Sequence, residues 1–317
     1  MAQLTEDLAI VLRSSPFKER DKLVTFLTEN HGRITGVARN AIHSKRFGGT
    51  LDLFACSQLS YKEGMGELVW VDDTNLRRDF LKIREKLENI SAAGYFVDLC
   101  LRLTEENHPA REIFLLLSHY LYLLEEHTAT FEIVRSFEIK LLERLGWAPV
   151  LEECVSCSSP FFGEELPPDE SFVTLATEKG GFLCHNCATP NARHIPLASL
   201  LWMIQARETM IKHTPSLKFP LDPMMEAAGT LQHFLRWHAP GLGKYRFRSH
   251  GMLEQFLLEA REDAKAYLEG GPLAGNLGAM LGDPGEMPEM PPAGPDFGEG
   301  FLVDPGIAPG HGPEPRV

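Results

Sequence analysis

Apolar and polar positions fall in short blocks over the first 78 residues. Leu8-Ala9-Ile10-Val11-Leu12, Leu23-Val24-Thr25-Phe26-Leu27, Arg33 to Arg39, Gln58 to Lys62 and Glu67 to Val71 are short and rich in β-branched or apolar residues, as strands are. Asn30-His31-Gly32, Gly48-Gly49 and Glu63-Gly64-Met65-Gly66 supply turn chemistry between them. Five short strands in so little chain predict a small barrel, and an OB-type Greek key fits the count. In the third strand, alternation places Arg33, Thr35, Val37 and Arg39 on one face and Ile34, Gly36 and Ala38 on the other. Small residues on that second face suit close packing inside a narrow barrel.

Beyond residue 78 the period becomes helical. Phe80, Ile83, Leu87, Ile90, Gly94, Val97 and Leu101 are spaced alternately by three and four, which predicts one long helix with an apolar stripe. A second helix is expected to open at Pro109 and to carry Ile113, Leu116, Leu117, Tyr120 and Leu124. A third spans Phe131 to Leu145 and stops near Gly146, with Pro149 beyond. Later helices are expected from Pro196 to His213, from an Asp222 N-cap to His238, and from Leu253 to Glu269.

Composition changes the picture at the C-terminus. From Gly270 onward, 48 residues hold 12 Gly, 10 Pro, seven acids and one base, Arg316, a mixture too poor in apolar area to offset chain ordering and therefore expected to be disordered. The 317-residue chain carries 31 Lys+Arg against 44 Asp+Glu, a net charge of −13 that taken alone argues against a polyanionic partner. Two windows depart from that average. Between Glu29 and Asp52 there is no carboxylate, while Arg33, Arg39, Lys45 and Arg46 fall there; from Ala227 to Leu253, again free of acids, lie Arg236, Lys244, Arg246 and Arg248. Solvated loops are the plain alternative for both windows. Arg33 and Arg39 on one strand face would stand ~20 Å apart at ~3.3 Å per residue, a span of several nucleotides.

Cys154-Val155-Ser156-Cys157 and Cys184-His185-Asn186-Cys187 form two CxxC knuckles 26 residues apart. Such turns present four thiolates to one tetrahedral Zn²⁺, a closed set suited to a structural ion. Phe172 to Leu175 and Gly180 to Leu183 read as a short β-ribbon between them. Redox dithiols and disulfides are competing readings. Cys56 and Cys100 sit in apolar segments and are expected to be buried thiols.

Catalytic signatures are missing: there is no GxxxxGK[ST], GxSxG or HExxH, no GxGxxG between strand and helix, and no histidine followed two residues later by Glu. No enzyme is expected. Apolar runs stay short of the ~18 to 20 residues that cross a bilayer, and the first residues lack a signal-peptide pattern, so a cytoplasmic, nucleoid-associated protein without a membrane partner is expected.

Glu19-Arg20-Asp21-Lys22-Leu23-Val24-Thr25-Phe26, Asn30 to Arg39 and Arg46-Phe47-Gly48-Gly49 together resemble the amino-terminal domain of RecO, the bacterial recombination mediator. Leu145-Gly146-Trp147-Ala148-Pro149, the knuckles, and Phe234-Leu235-Arg236-Trp237-His238 follow in matching order. The resemblance implies an α+β multi-domain protein: an N-terminal OB-fold barrel (1–78), a helical domain in two parts (79–150 and 193–269) and an inserted zinc ribbon (151–192), with the acidic tail (270–317) outside the match. It also implies binding of single- and double-stranded DNA, strand annealing, and action with RecR to load RecA on strands coated by single-strand-binding protein. On this reading Arg33, Arg39, Lys45 and Arg46 hold phosphates, helped by Lys18, Arg20 and Lys22 if the first loop folds over the face. Phe17, Phe47 and Tyr61 are the aromatics available for stacking. Lys244, Arg246 and Arg248 form a second candidate set, and Ala239 to Gly243 is expected to interrupt the late helix. A zinc-ribbon adaptor that binds only protein and a zinc-dependent hydrolase or deaminase remain as other readings of the residues.

Overall fold

The computed structural model describes residues 3–64, 66–163, 171–188, 193–239, 242, 245 and 247–261. The tail expectation and those on Lys244 and Arg246 lie outside these residues. Strands β1 (Leu4–Phe17), β2 (Asp21–Thr28), β3 (Gly32–Ala38), β4 (Cys56–Glu63) and β5 (Leu68–Arg78) close a barrel in the order β1-β2-β3-β5-β4. All neighbours are antiparallel except β3 and β5, which is the expected OB-type arrangement. Ala9, Val11, Val24, Phe26, Ile34, Leu59 and Val71 alternate into the barrel core, whereas Ile10, Leu12 and Leu27 face outward into the core of the helical region. Burial on both faces is why Leu8 to Leu12 reads as an unbroken apolar run rather than an alternating one. Gly36 is required where β3 meets β5: a Cβ there would lie 2.8 Å from the Val69 side chain and 2.9 Å from that of Val71.

The single helix expected from Phe80 to Leu101 is two elements. Phe80 takes a left-handed backbone (φ 52), a 3-10 turn covers Leu81–Glu85, and α1 (Leu87–Leu103) starts only after the extended Lys86. The predicted stripe matches the buried face only in part: Phe80, Ile83 and Val97 are buried as expected. Leu87 is 64% exposed, while Asn89, Ala92, Ala93, Phe96, Leu99, Cys100 and Leu103 are buried. Alanine and asparagine hide that face from a hydrophobicity pattern. Asn89 is there because its amide donates to the Leu124 and His127 carbonyls and accepts from the Ala129 N–H, closing the turn between α2 (Arg111–Glu126) and α3 (Phe131–Arg144).

Helix α3 begins where expected, with Thr130 Oγ1 accepting from the Ile133 N–H, and ends before Gly146 at φ 73. It is buried all round and therefore central. A three-stranded sheet, β7 (Gly181–Leu183) against β6 (Phe172–Ala176) against β8 (His194–Pro196), precedes α4 (Leu197–Glu208), α5 (Leu221–His238) and α6 (Arg248–Glu259). Helix limits differ from expectation in several places: α2 opens at Arg111 rather than Pro109, and α6 ends at Glu259 rather than Glu269. The chain leaves α4 at Glu208 for a 3-10 turn at Ile211–Ser216, α5 is capped at Pro220 with Asp222 inside its first turn, and α6 opens at Arg248 rather than Leu253.

Barrel and helices meet at the β2–β3 turn. The Asn107 N–H donates to the Arg33 carbonyl at 2.9 Å, Arg111 pairs with Glu29 at 2.7 Å, and Gly32 (φ 72) lies so close that a Cβ would come 1.8 Å from the His108 carbonyl oxygen. The turn itself is held by Asp7, buried on β1, whose carboxylate accepts from the backbone N–H groups of Leu8, Asn30 and His31, from Asn30 Nδ2 at 2.8 Å, and pairs with His31 Nδ1 at 2.7 Å.

Burial pushes the Asp7 pKa up, but these hydrogen bonds outweigh it and hold the carboxyl below its ordinary value. A depressed folded-state pKa gives stability that is present above the unfolded value of ~3.9 and is lost as pH falls through the folded one. Asp7→Asn is therefore expected to cost about 2 kcal/mol at pH 7 by stranding buried donors, with the gap to wild type closing below about pH 4. Urea unfolding across pH 3 to 7 checks this, and a gap constant over that range would refute it.

Candidate nucleic-acid interface and metal centre

At the end of the barrel away from the helices, the β1–β2 turn and the segment after β3 fold together. The Ile42 N–H donates to the Arg20 carbonyl at 3.0 Å and the Asn40 N–H to Asp21 Oδ1 at 2.8 Å. Left-handed backbones at Lys18 and Asn40 (φ 55 each) turn the two segments toward each other. A pocket of about 400 Å³ opens between them, lined by Arg20, Asn40, His43 and Ser44. Lys45–Phe47 is one 3-10 turn capped by Ser44, whose Oγ accepts from the Arg46 N–H; its Phe47 ring is buried in the barrel core while Lys45 and Arg46 are exposed. The fold thus gathers Lys18, Arg20 and Lys22 beside Arg39, Lys45 and Arg46.

The cations in this group differ in what already neutralises them. Arg46 pairs with Asp73 at 3.3 Å and Lys22 with Asp52 at 3.9 Å. Lys18, Arg20, Arg39 and Lys45 have no carboxylate partner among the described residues. Lys18 lies 5.4 Å over the Phe17 ring and the Arg39 guanidinium 3.9 Å over Trp70. The window that is free of acids along the chain is not free of them in space, because Asp52 and the neighbouring strand β5 bring carboxylates to it.

Arg33 is not part of this group. Alternation does set it on the Arg39 side of β3, but it stands at the opposite end of the strand, where Nε donates to the Thr104 carbonyl at 3.0 Å and Nη1 pairs with Glu106 at 2.6 Å. Phe47 and Tyr61, expected to be open for stacking, are 6% and 7% exposed and belong to the barrel core; Phe17 is half-buried. Trp70 is the outward aromatic that the sequence reading passed over, although the alternation Leu68-Val69-Trp70-Val71 places it opposite the inward valines. In the second basic window, Arg236 is exposed near the end of α5 and Arg248 is the first residue of α6. Helix α5 stops at His238, whose ring stacks on Trp147 at 5.6 Å.

The two knuckles meet as their spacing requires. The four sulfurs of Cys154, Cys157, Cys184 and Cys187 lie within 4.8 Å of one another. Cys157 Sγ and Cys184 Sγ are 3.7 Å apart, against about 3.8 Å for the edge of a tetrahedron with ~2.3 Å metal–sulfur bonds. Ser158 (φ 57) turns the first knuckle, with its N–H donating to the Cys154 carbonyl, and the Cys187 N–H donates to the Cys184 carbonyl in the second. Burial opposes ionisation of Cys154, yet backbone groups of Cys184, Ser156 and Cys157 bond to its sulfur and bring its pKa down to about 6. Cys187, bonded to Cys157 and Cys184, is pushed up to about 12. Sulfurs this close share protons instead of all ionising, and a dication at their centre replaces those protons. The donor set fits a closed four-thiolate metal site, with all four positions filled by protein.

Comparison with known proteins agrees with this architecture. The profile of "Recombination protein O N terminal" matches residues 1–80 and that of "Recombination protein O C terminal" residues 84–246. A DNA repair protein RecO of Syntrophus aciditrophicus (strain SB) is 31% identical over 231 residues, 71% of this chain and 87% of the relative. The protein of that name from Myxococcus xanthus (strain DK1622) is 33% identical over 239 residues (74% and 91%), and that of Geobacter sulfurreducens 32% over 233 (73% and 90%). With both profiles matched in order and these relatives covered over most of their length, the chain belongs to the RecO family of DNA repair proteins.

Proposed function

We propose that this chain is a non-enzymatic recombination mediator that binds single- and double-stranded DNA without reading sequence. The observation that carries this reading is the cluster of Lys18, Arg20, Arg39 and Lys45, gathered by two interlocked loops at the open end of an OB-type barrel without carboxylate partners among the described residues. Such barrels take oligonucleotides on the face of their second and third strands and on loops that include the β1–β2 turn. Phosphates release counterions from the strand when cations replace them, so binding is electrostatic and indifferent to base order. Neutralising two strands at once lowers their mutual repulsion, which is the physical basis of annealing. RecR and single-strand-binding protein are the partners the family reading assigns, with RecA loading as the outcome, inside the cell and away from membranes. No helix among the described residues is long and apolar enough to cross one.

We assign one Zn²⁺ to the cysteine cluster in a structural role. Cys154, Cys157, Cys184 and Cys187 would hold it, and bound there it supplies cross-linking of the two knuckles. Four thiolates around a dication sum to −2, so the centre repels phosphate.

About four phosphate contacts give a slope of log K against log salt near −3 for single strands. Titrating a fluorescent oligonucleotide at several salt concentrations, the Arg20→Ala/Lys45→Ala variant is expected to flatten that slope to about −1.5. Arg33→Ala is expected to leave the slope unchanged and lower the melting temperature instead. An affinity independent of salt contradicts the reading.

The metal assignment predicts one zinc per chain by elemental analysis and, after Co²⁺ substitution, a pure tetrathiolate absorption spectrum. Cys154→Ser/Cys184→Ser should lose the metal and melt earlier with the salt slope intact. A spectrum showing an oxygen ligand would remove the structural role.

A further inference from the structure

We propose that Arg39 and Trp70 together form a stacking platform for one unpaired nucleobase, which makes the barrel prefer single strands to duplex; this rests on the DNA-binding reading above. The pair is placed by strand register: Val37 on β3 stands opposite Trp70 on β5, and Arg39 follows two residues after Val37 on the same face. Its guanidinium lies over the indole at 3.9 Å, with Trp70 half-buried beneath and Arg39 exposed above. The ring backs the guanidinium on one side, in a residue that is otherwise exposed.

Charge alone does not call for this arrangement. A phosphate contact needs only the charge, which Lys18 and Lys45 supply and a lysine at position 39 would keep, whereas a planar support under a planar cation fixes the orientation of the plane. Lys62, next to Trp70 across the β4–β5 pair, is bound to Asp72 at 3.0 Å, but Arg39 has no carboxylate partner among the described residues. The rest of the outer β2–β3 face carries no charge between Arg33 and Arg39: Thr25 and Thr35 hydrogen-bond each other at 3.2 Å, and Val37 is buried. With Val37 and Thr25 buried, that face offers little surface of its own, and the exposed guanidinium over Trp70 is the planar group left to meet a base. Bases in a duplex have both faces occupied by their neighbours, so only an unpaired base can use the platform.

The test compares wild type, Arg39→Lys and Trp70→Leu on three ligands: a mixed-sequence single strand, an abasic strand of equal length, and a duplex. Arg39→Lys keeps the charge on an exposed residue and removes the plane. Wild type is expected to bind the abasic strand about tenfold more weakly than the normal one. Arg39→Lys should lose about the same factor on the normal strand, bind both single strands alike, and keep its duplex affinity; Trp70→Leu should follow it. Equal binding of wild type to normal and abasic strands overturns the platform, as does an Arg39→Lys loss that is the same on duplex and single strand. Failure of wild type to bind any of the three overturns the DNA-binding reading itself, a result distinguishable from the other two.

Discussion

Opposite charges that the fold brings together pair, and in a chain with 44 acids and 31 bases this pairing decides which cations are left without a carboxylate. An exposed pair is worth roughly 0 to 1 kcal/mol, little enough for a phosphate to displace the carboxylate. Arg46 and Asp73, each more than half exposed, are of that kind, and the pair of half-buried Lys22 with exposed Asp52 is long, at 3.9 Å. Arg33 is different. Its side chain is 20% exposed and bonds both a backbone carbonyl and Glu106, so releasing it would open the joint between barrel and helices. The cations left without carboxylates therefore lie at the loop end of the barrel, and the strand that seemed to span it serves the interface at one end and the proposed ligand face at the other.

The helical region against which Arg33 is held has a group of ions buried in its centre. Arg135 on α3, wholly buried, binds Glu138 at 2.9 Å and Glu254 of α6 at 3.0 Å. Glu138 in turn accepts from Tyr95 of α1 at 2.5 Å and Gln232 of α5 at 2.8 Å. Burial raises the Glu254 pKa, and it pushes His250 down to about 3 with the nearby Arg135 adding to the effect, so the imidazole beside the pair is neutral. Buried pairs contribute little net stability over apolar residues of the same shape, yet losing one partner costs about 3 to 5 kcal/mol. Their effect here is geometric: four helices can satisfy these groups in one register only.

The barrel could be read from the chain because β-branched blocks and glycine turns act locally, and the knuckles because metal chemistry restricts spacing as well as residue type. Strand ends were less visible. β1 runs from Leu4 to Phe17 rather than only through its apolar centre, since its polar flanks pair with β4 and β2 through backbone groups that carry no hydrophobic signal. The buried face of α1 was misplaced in part because Asn89 and two alanines occupy it, and the ion group of α3 left no pattern because it is completed by Glu254, more than a hundred residues away on another helix. Charge windows mislead for the same reason. Asp73 and Glu106 are remote in sequence from the arginines they neutralise, whereas Trp70, opposite Val37 on a parallel strand, was within reach of a strict period-2 reading.

The place of the cysteine cluster follows from what its sheet touches. Cys154, Ala176 and Leu183 make a small core of their own, which is too little apolar surface to hold three short strands in place without a cross-link. Phe182 and Val173 leave that core for the main one, where Phe182 meets Phe234 of α5 at 6.3 Å, and Arg193 beside β8 pairs with Glu226 of the same helix at 2.8 Å. Gly181 admits the preceding chain at a distance no side chain would allow, a Cβ there falling 2.9 Å from the Val150 carbonyl oxygen. A metal joining the knuckles would thus clamp residues 147–155 and β7 against α5. Its part in the proposed DNA binding would be indirect, through helix packing, because an anionic four-thiolate centre offers no attraction to phosphate.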